Sequence, residues 1–362
     1  MDAPRSDVRK ITGDDLSKIL APEIATISDC IAIFDKSAAG VFVITDASGA
    51  PAGFVDDDSF RNAQLRELSP GDPVSKIANR QFAILRGAEE SLQQDYITVR
   101  VGDDGRPVEL FIQPAVYLNN NSTNAPIRTA IVMAGGLGER MGALTQDRPK
   151  SLIPVAGRPL IEHVLRLLAK HKIMNVIIAT NYLADQIEAF VGCGAKFGVS
   201  VQYIREPKRL GTAGALSIIE SLPNEPIFVM NADVLTKLNL TSMARRHIKT
   251  NAMLTVAVAP HVMECPYGVT RLKGSEIIDI SEKPAYKHWI NAGIYIISPA
   301  VAARVPRNTY IDMTTMIQQM IQSGEQVEAF PIREYWHDAG TPDDVARLSA
   351  ELKNTNIGNS ES

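Results

Sequence analysis

The stretch MAGGLGERMGALTQDRPKS, residues 133–151, follows directly on the apolar run IRTAIV and decides how the chain is read. It gathers Gly135, Gly136, Gly138 and Gly142 with Arg140, Arg148 and Lys150. Glycine turns sharply without steric cost and exposes backbone N–H groups that can hold oxyanions. An arginine fork suits phosphate oxygens, and a lysine supplies a compact point charge. Pro149 pins the chain just before Lys150. A dinucleotide fingerprint would need glycine where Met141 stands, and a Walker loop would need glycine where Pro149 stands. The pattern is thus an anion cradle of another kind.

Outward from this stretch, residues 128–352 read as regular α/β. NVIIATN, VSVQYIRE and PIFVMNAD read as strands, and PLIEHVLRLLAKHKI, LADQIEAFV and GTAGALSIIESL as helices. That alternation predicts a mostly parallel, doubly covered sheet with ligands at the carboxyl ends of its strands. Asp233 ends one such strand. Asp338 precedes Gly340, just ahead of a helix start in which Thr341, Pro342 and Asp344 read as N-cap, first position and capping-box partner. His337 has no partner at ligand spacing and reads as an exposed neighbour.

AGGLGERMGALTQDRPKSLIPVAGRPLIEHVL resembles the signature of the sugar-1-phosphate nucleotidyltransferases, with Met141 and Ala143 where that family usually has Leu and Pro. The resemblance implies a Rossmann-like, GT-A-like α/β domain. It further implies transfer of a nucleotidyl group from a nucleoside triphosphate to a sugar-1-phosphate with release of pyrophosphate. On it, Ala134, Gly135, Gly136, Gly138, Gly211 and Thr212 bind nucleotide, and Arg140 and Lys150 are catalytic. Asp233 and Asp338 hold Mg²⁺, the former with Ala232 in place of the family's usual glycine. PYGV, SEKP and INAGIY resemble the sugar-phosphate positions, namely Tyr267, Gly268, Glu282, Lys283 and Asn291. The loop REPKRLGTAGAL is similar to the guanylyl branch, with uridylyl and thymidylyl transfer, or a non-catalytic nucleotide-sugar-binding subunit, left as alternatives.

Residues 1–118 alternate short strands and helices: VFVITD, ASGA, PAGFVD and DDSFRNAQL, with a weaker echo in DYITVRVGDDGRPVELFIQ. They are similar to a tandem pair of cystathionine-β-synthase-type (CBS) units, the second degenerate, and are expected to form a smaller α+β region. In that family a Thr/Ser-x-x-Asp grips a ribose; here the aligned residues are Asp56 and Ser59, so an assembly role is expected over adenylate sensing. NNNSTNAP marks a linker at 119–127, and 353–362 a polar tail without hexapeptide repeats.

A net charge of −4 argues against general nucleic-acid binding. Three scattered cysteines, no apolar leader and no run near 18 apolar residues point to a soluble cytoplasmic protein without membrane contact. A homo-oligomer, assembled through the CBS-type region, is the expected state.

Overall fold

A computed structural model describes residues 8–37, 39–87, 97–113, 127–220 and 222–354. The chain divides into two compact units, Met1–Asn124 and Ala125–Ser362. The expected linker from Asn119 to Pro126 lies outside the described residues, as does the tail beyond Asn354.

Among its described residues, the first unit contains two sheets. In one, Leu20–Pro22 runs parallel to Val41–Thr45, which pairs antiparallel with Pro51–Asp56. In the other, Ala83–Leu85 runs parallel to Ile97–Val101, which pairs antiparallel with Pro107–Ile112, and Arg9–Thr12 closes the far edge. Each sheet is thus built on a parallel pair followed by a hairpin, and each hairpin turns at a glycine of positive φ, Gly49 or Gly105. Helix Ile27–Phe34 joins the first parallel pair, capped by Thr26, whose side chain accepts from Asp29 N. Helix Asp57–Leu65 starts on a capping box between Asp56 and Ser59, in which Asp56 Oδ1 accepts from Ser59 N at 2.8 Å. The two residues aligned with the ribose-gripping pair are therefore spent on a helix terminus.

The second unit is built around a seven-stranded sheet. Its strands are β1 (Thr129–Met133), β2 (Asn175–Thr180), β3 (Ser200–Arg205), β4 (Ile227–Asn231), β5 (Leu254–Glu264), β6 (Ala285–Ile297) and β7 (Val327–Pro331). Their order is β3-β2-β1-β4-β6-β5-β7. The first four run parallel, β6 is antiparallel to both its neighbours, and β5 and β7 are parallel. This is the mostly parallel sheet expected, with one reversed strand, β6, which carries Asn291. Helix α1 (Leu160–Lys170) buries Leu160, Ile161, Val164, Leu165 and Leu168, a helical spacing that gives it one apolar face. Apart from Leu160, that face shares one hydrophobic core with β1, β2 and β4.

Because β2 lies on one side of β1 and β4 on the other, the strand order switches between β1 and β4. A crevice forms at such a switch, outside the carboxyl ends of the strands. The glycine stretch leaves β1 at this point, and Asp233 follows β4.

One predicted helix is corrected. GTAGALSIIESL forms only a single α-turn, Gly211–Gly214, running into a 3-10 turn, Ala215–Ile218. Two glycines weaken the helix, and the Ala213 and Gly214 amides donate instead to the Ile311 carbonyl, at 3.0 and 3.1 Å.

At the same carboxyl end of the sheet, β5 and β6 run on past their neighbours as a two-stranded ribbon, with Glu264 opposite Ala285. A hairpin, Val269–Lys273 with Glu276–Ser281, continues it.

Candidate active site

The cradle begins where the Ala134 amide makes its last sheet-like bond, to the Ala179 carbonyl at 2.8 Å. Among the described residues, the amides of Gly135, Gly136 and Gly138 donate to no protein acceptor, so they are available to an oxyanion. Two of these glycines are closely approached by what packs on them. A Cβ on Gly135 would meet Glu206 Oε1 at 2.5 Å. Gly138 has φ +67°, and a Cβ there would lie 2.8 Å from Thr145 Cγ2 and 3.2 Å from Lys150 Cβ. The loop is held from outside by Tyr182, whose hydroxyl donates to the Gln146 carbonyl, and by Gln186, which donates to the Asp147 carbonyl. Met141 is buried with Ile153, Val155, Leu235 and Ala339, so the apolar replacement at this position is a core contact.

The charged groups converge beside the cradle. Lys150 Nζ donates to Asp233 Oδ2, with the lysine side chain only 12% exposed. Asp338 is brought alongside by a short antiparallel pair, Val234–Thr236 with Trp336–Asp338, in which Val234 faces Asp338. The Ala339 amide closes the pair onto the Asp233 carbonyl at 3.1 Å. A Cβ on Gly340 would stand 2.9 Å from Asp338 Oδ2 and 3.5 and 3.6 Å from the two terminal nitrogens of Arg140. Arg140, Lys150, Asp233 and Asp338 therefore form one cluster. Burial and the neighbouring Asp233 carboxylate push the Asp338 carboxyl above its usual range, partly offset by Lys150 and Arg140. Asp344 is a structural cap, as expected: its carboxylate accepts from the Thr341 amide and its own amide donates to Thr341 Oγ1.

Among the described residues, no group of three or more His, Cys, Asp and Glu gathers as a metal cluster. The Asp233–Asp338 pair nevertheless fits a hard divalent cation. Mg²⁺ takes one or two carboxylates and fills its octahedron with phosphate oxygens and water. Asp233 Oδ1 is buried without a hydrogen-bond partner, the arrangement of an acceptor awaiting a cation or donor.

The other predicted residues fall into two groups. Gly211 and Thr212 lie in a loop tied to the cradle through Glu206, which accepts from the Leu210 amide at 3.0 Å with one oxygen and abuts Gly135 with the other. The Thr212 hydroxyl accepts from the Met313 amide at 2.9 Å and donates to Asp312 at 3.3 Å. That hydroxyl is thus committed to the protein, as are the amides of Leu210, Thr212, Ala213 and Gly214. Tyr267, Gly268, Glu282 and Lys283 sit on the exposed ribbon and its hairpin, with Gly268 against Glu282 and Lys283 held at φ +45°. Asn291 stands at the root of the ribbon and accepts from the Gly293 amide at 3.0 Å. Gly293 in turn has room only for Asn231, whose Nδ2 would lie 2.7 Å from a Cβ there. Strand β6 thereby meets the strand that leads to Asp233.

Sequence reading missed Glu206, Asn231 and Asp312. Glu206 had a signal, since it follows directly on β3. Burial raises its carboxyl above the usual range, the Leu210 amide bond opposing that shift.

The family model described as Nucleotidyl transferase matches residues 129–355. A mannose-1-phosphate guanyltransferase of Yarrowia lipolytica is 33% identical over 59% of this chain and 61% of its own length. A mannose-1-phosphate guanylyltransferase of Mycobacterium tuberculosis is 30% identical over 62% of this chain and 64% of its own. A D-glycero-alpha-D-manno-heptose 1-phosphate guanylyltransferase of Aneurinibacillus thermoaerophilus is 29% identical over 62% of this chain and 98% of its own. The chain thus spans less than two thirds of the length of the first two relatives, and its first unit lies outside the region matched by the family model. Among solved structures, a Bacillus anthracis protein named for glucose-1-phosphate thymidylyl transfer superposes with a TM-score of 0.52 at 25% identity, over 62% of this chain and 96% of that one.

Proposed function

The chain belongs to the Nucleotidyl transferase family, and on that premise we propose that it transfers a guanylyl group from GTP to a sugar-1-phosphate, giving a GDP-sugar and pyrophosphate. The observation that carries this is the single cluster of Arg140, Lys150, Asp233 and Asp338 beside a loop of uncommitted amides. A site that only bound a nucleotide-sugar would have no chemical need for all four.

In the proposed reaction the sugar-phosphate oxygen attacks the α-phosphorus in line, and the bond to the pyrophosphate oxygen breaks. Two polyanions must be brought together, so positioning and charge neutralisation carry the rate. The amides of Gly135, Gly136 and Gly138 receive triphosphate oxygens, Arg140 holds the β- and γ-phosphates, and Lys150 turns from Asp233 to the α-phosphate. Mg²⁺ held by Asp233 and Asp338 would supply Lewis-acid neutralisation of phosphate oxygens. Glu282 and Asn291 bind sugar hydroxyls, Lys283 the sugar phosphate and Gly268 a ligand acceptor, with Tyr267 beside them.

Guanine is favoured by Glu206. Among the four bases only guanine presents two adjacent donors, N1–H and N2–H, and a carboxylate can accept both. A carboxylate wedged between Gly135 and the Leu210 amide is well placed for that edge. Mannose- or glucosamine-1-phosphate is the proposed acceptor, for surface-glycan or flagellin glycosylation. Relatives named for mannose and manno-heptose support a manno-configured sugar. A Synechocystis relative named UTP–glucose-1-phosphate uridylyltransferase, 29% identical, supports the uridylyl alternative. Four nucleoside triphosphates crossed with several sugar-1-phosphates, scored by pyrophosphate release, decide the matter. The reading fails if no pair turns over, or if UTP or dTTP outruns GTP.

The first unit is proposed as a CBS-type pair that assembles like chains in the cytoplasm. Its repeated parallel-pair-and-hairpin module supports that reading, and the Asp56–Ser59 capping box supports assembly over adenylate sensing. Micromolar AMP binding by the full chain, surviving excess GTP, would overturn the second point. No helix among the described residues is long and apolar enough to cross a membrane.

A further inference from the structure

We propose that Asp312, with Tyr310 and Ile311, is a positioning device that sets the nucleotide loop and, through it, base selection. This rests on the proposed nucleotide site and adds residues that no nucleotide motif contains. The segment 309–313 and the loop 210–214 are joined at every step. Ile311 donates its amide to the Leu210 carbonyl at 2.9 Å and accepts from Ala213 and Gly214. Asp312 Oδ1 accepts from the Thr212 amide at 3.0 Å and from its hydroxyl at 3.3 Å. Its other oxygen accepts from the Tyr310 hydroxyl at 2.9 Å, which fixes the carboxylate plane.

The arrangement is a pair of caps exchanged between distant segments. Asp312 occupies the N-cap position of helix Met313–Gln322, yet its side chain makes no cap bond to that helix. It caps the turn at Gly211–Gly214 instead. In return Thr212 Oγ1 accepts from Met313 N, the helix's first amide, at 2.9 Å. Helix Met313–Gln322 is anchored by buried Met313, Met316 and Met320, so the exchange ties a loop to a fixed body. The fit leaves no slack, because a Cβ on Gly211, at φ +79°, would sit 2.6 Å from the Ile311 carbonyl oxygen and 2.9 Å from Asp312 Oδ1.

The same loop determines where Glu206 points. The Leu210 amide donates to Glu206 Oε2, and Leu210 is the residue whose carbonyl Ile311 holds. From Asp312 the contacts run through Thr212 and Leu210 to Glu206 and end on Gly135 of the cradle. Losing the carboxylate frees the loop amide and lets Leu210 and Glu206 drift together. The proposed sugar contacts lie elsewhere, so the defect is confined to the nucleotide and spares the sugar-1-phosphate.

The test compares the full-length wild type with Asp312→Ala, Asp312→Asn and Tyr310→Phe. It measures GTP and UTP binding by calorimetry, KM for GTP and for mannose-1-phosphate by pyrophosphate release, and melting temperature. Asp312→Ala removes a charge-assisted bond, a loss of roughly tenfold or more in GTP affinity. The expected result is that rise in KM for GTP with a narrowed GTP-over-UTP preference. KM for mannose-1-phosphate should stay within about twofold. Asp312→Asn keeps an acceptor and should recover part of the loss. Tyr310→Phe, at an exposed side chain, keeps the proposal testable should Asp312→Ala not fold. Equal rises in both KM values, or a lower melting temperature with unchanged base preference, would overturn the proposal. A wild type that binds GTP without releasing pyrophosphate sinks the catalytic reading, and the binding arm then decides this one. A wild type that binds no nucleotide overturns both.

Discussion

The phosphate end and the sugar end of the proposed site are built in opposite ways. Around Lys150, Asp233 and Asp338 almost every group is held by a backbone bond or a packed neighbour before any ligand arrives. The ribbon that carries Tyr267 and Glu282 is open, with Tyr267 73%, Ile280 66% and Ile277 62% exposed. The difference suits a reaction in which one partner is a polyanion and the other a neutral ring with one phosphate. Electrostatic stabilisation requires dipoles and charges fixed in advance, whereas hydroxyl recognition tolerates a surface that closes on its ligand. The half proposed to hold charge is the more closely packed.

The largest effect should come from the closely packed half. Lys150→Ala and Asp233→Ala are each expected to lower kcat by about 10²–10³, the scale of removing one preorganised electrostatic group. The measurement is pyrophosphate release at saturating substrates with excess Mg²⁺. Near-wild-type turnover in either variant would mean that this cluster is a structural ion pair and not the reactive centre.

Next comes Glu206→Gln. An amide offers one acceptor and one donor where guanine needs two acceptors, so GTP use should fall by roughly 10–100-fold in kcat/KM, about 1–3 kcal/mol of discrimination. UTP use should change far less. Parallel losses with both nucleotides would remove the basis for guanine and reopen the uridylyl reading.

A smaller effect is expected on the open half. Glu282→Ala should raise KM for the sugar-1-phosphate by roughly tenfold, the worth of one or two ligand hydrogen bonds. KM for GTP and the melting temperature should hardly move, because an exposed side chain contributes little to folding. Hydrogen exchange should slow across residues 260–290 when both substrates bind, and change little across 129–150. Protection of the cradle instead of the ribbon would reverse the contrast.

These contrasts explain which parts of the molecule could be read from sequence. The cradle, the Thr341–Asp344 cap and the strands on either side are local patterns, written in residues a few positions apart. The α/β architecture was legible for the same reason, since each element carries its own period. Glu206 against Gly135 and Asp312 on Thr212 were not, because the contacting residues in the latter pair are a hundred positions apart. The misread helix at 211–222 shares that cause: its amides found an acceptor on Ile311, which no local propensity encodes. On the ribbon, the residue types were recognisable, but exposure depends on β5 and β6 outrunning their neighbours.

The core of the second unit should also be acid-labile. Burial pushes His171 and His247 down to about 4, from an ordinary 6.5. Each ring is held neutral, with Nδ1 within 2.9 Å of the Thr241 hydroxyl and 2.8 Å of the Thr255 hydroxyl respectively. Because the folded value lies below the unfolded one, the unfolded chain binds more protons as pH falls. Stability is therefore full above about pH 6.5 and declines toward pH 4. Between pH 7.5 and pH 6 each histidine should cost roughly 1 kcal/mol by this linkage. Urea titrations at the two pH values measure it, and His247→Asn should flatten the slope for one of the two. A slope untouched by that change would mean the His247 ring already carries its proton in the folded core.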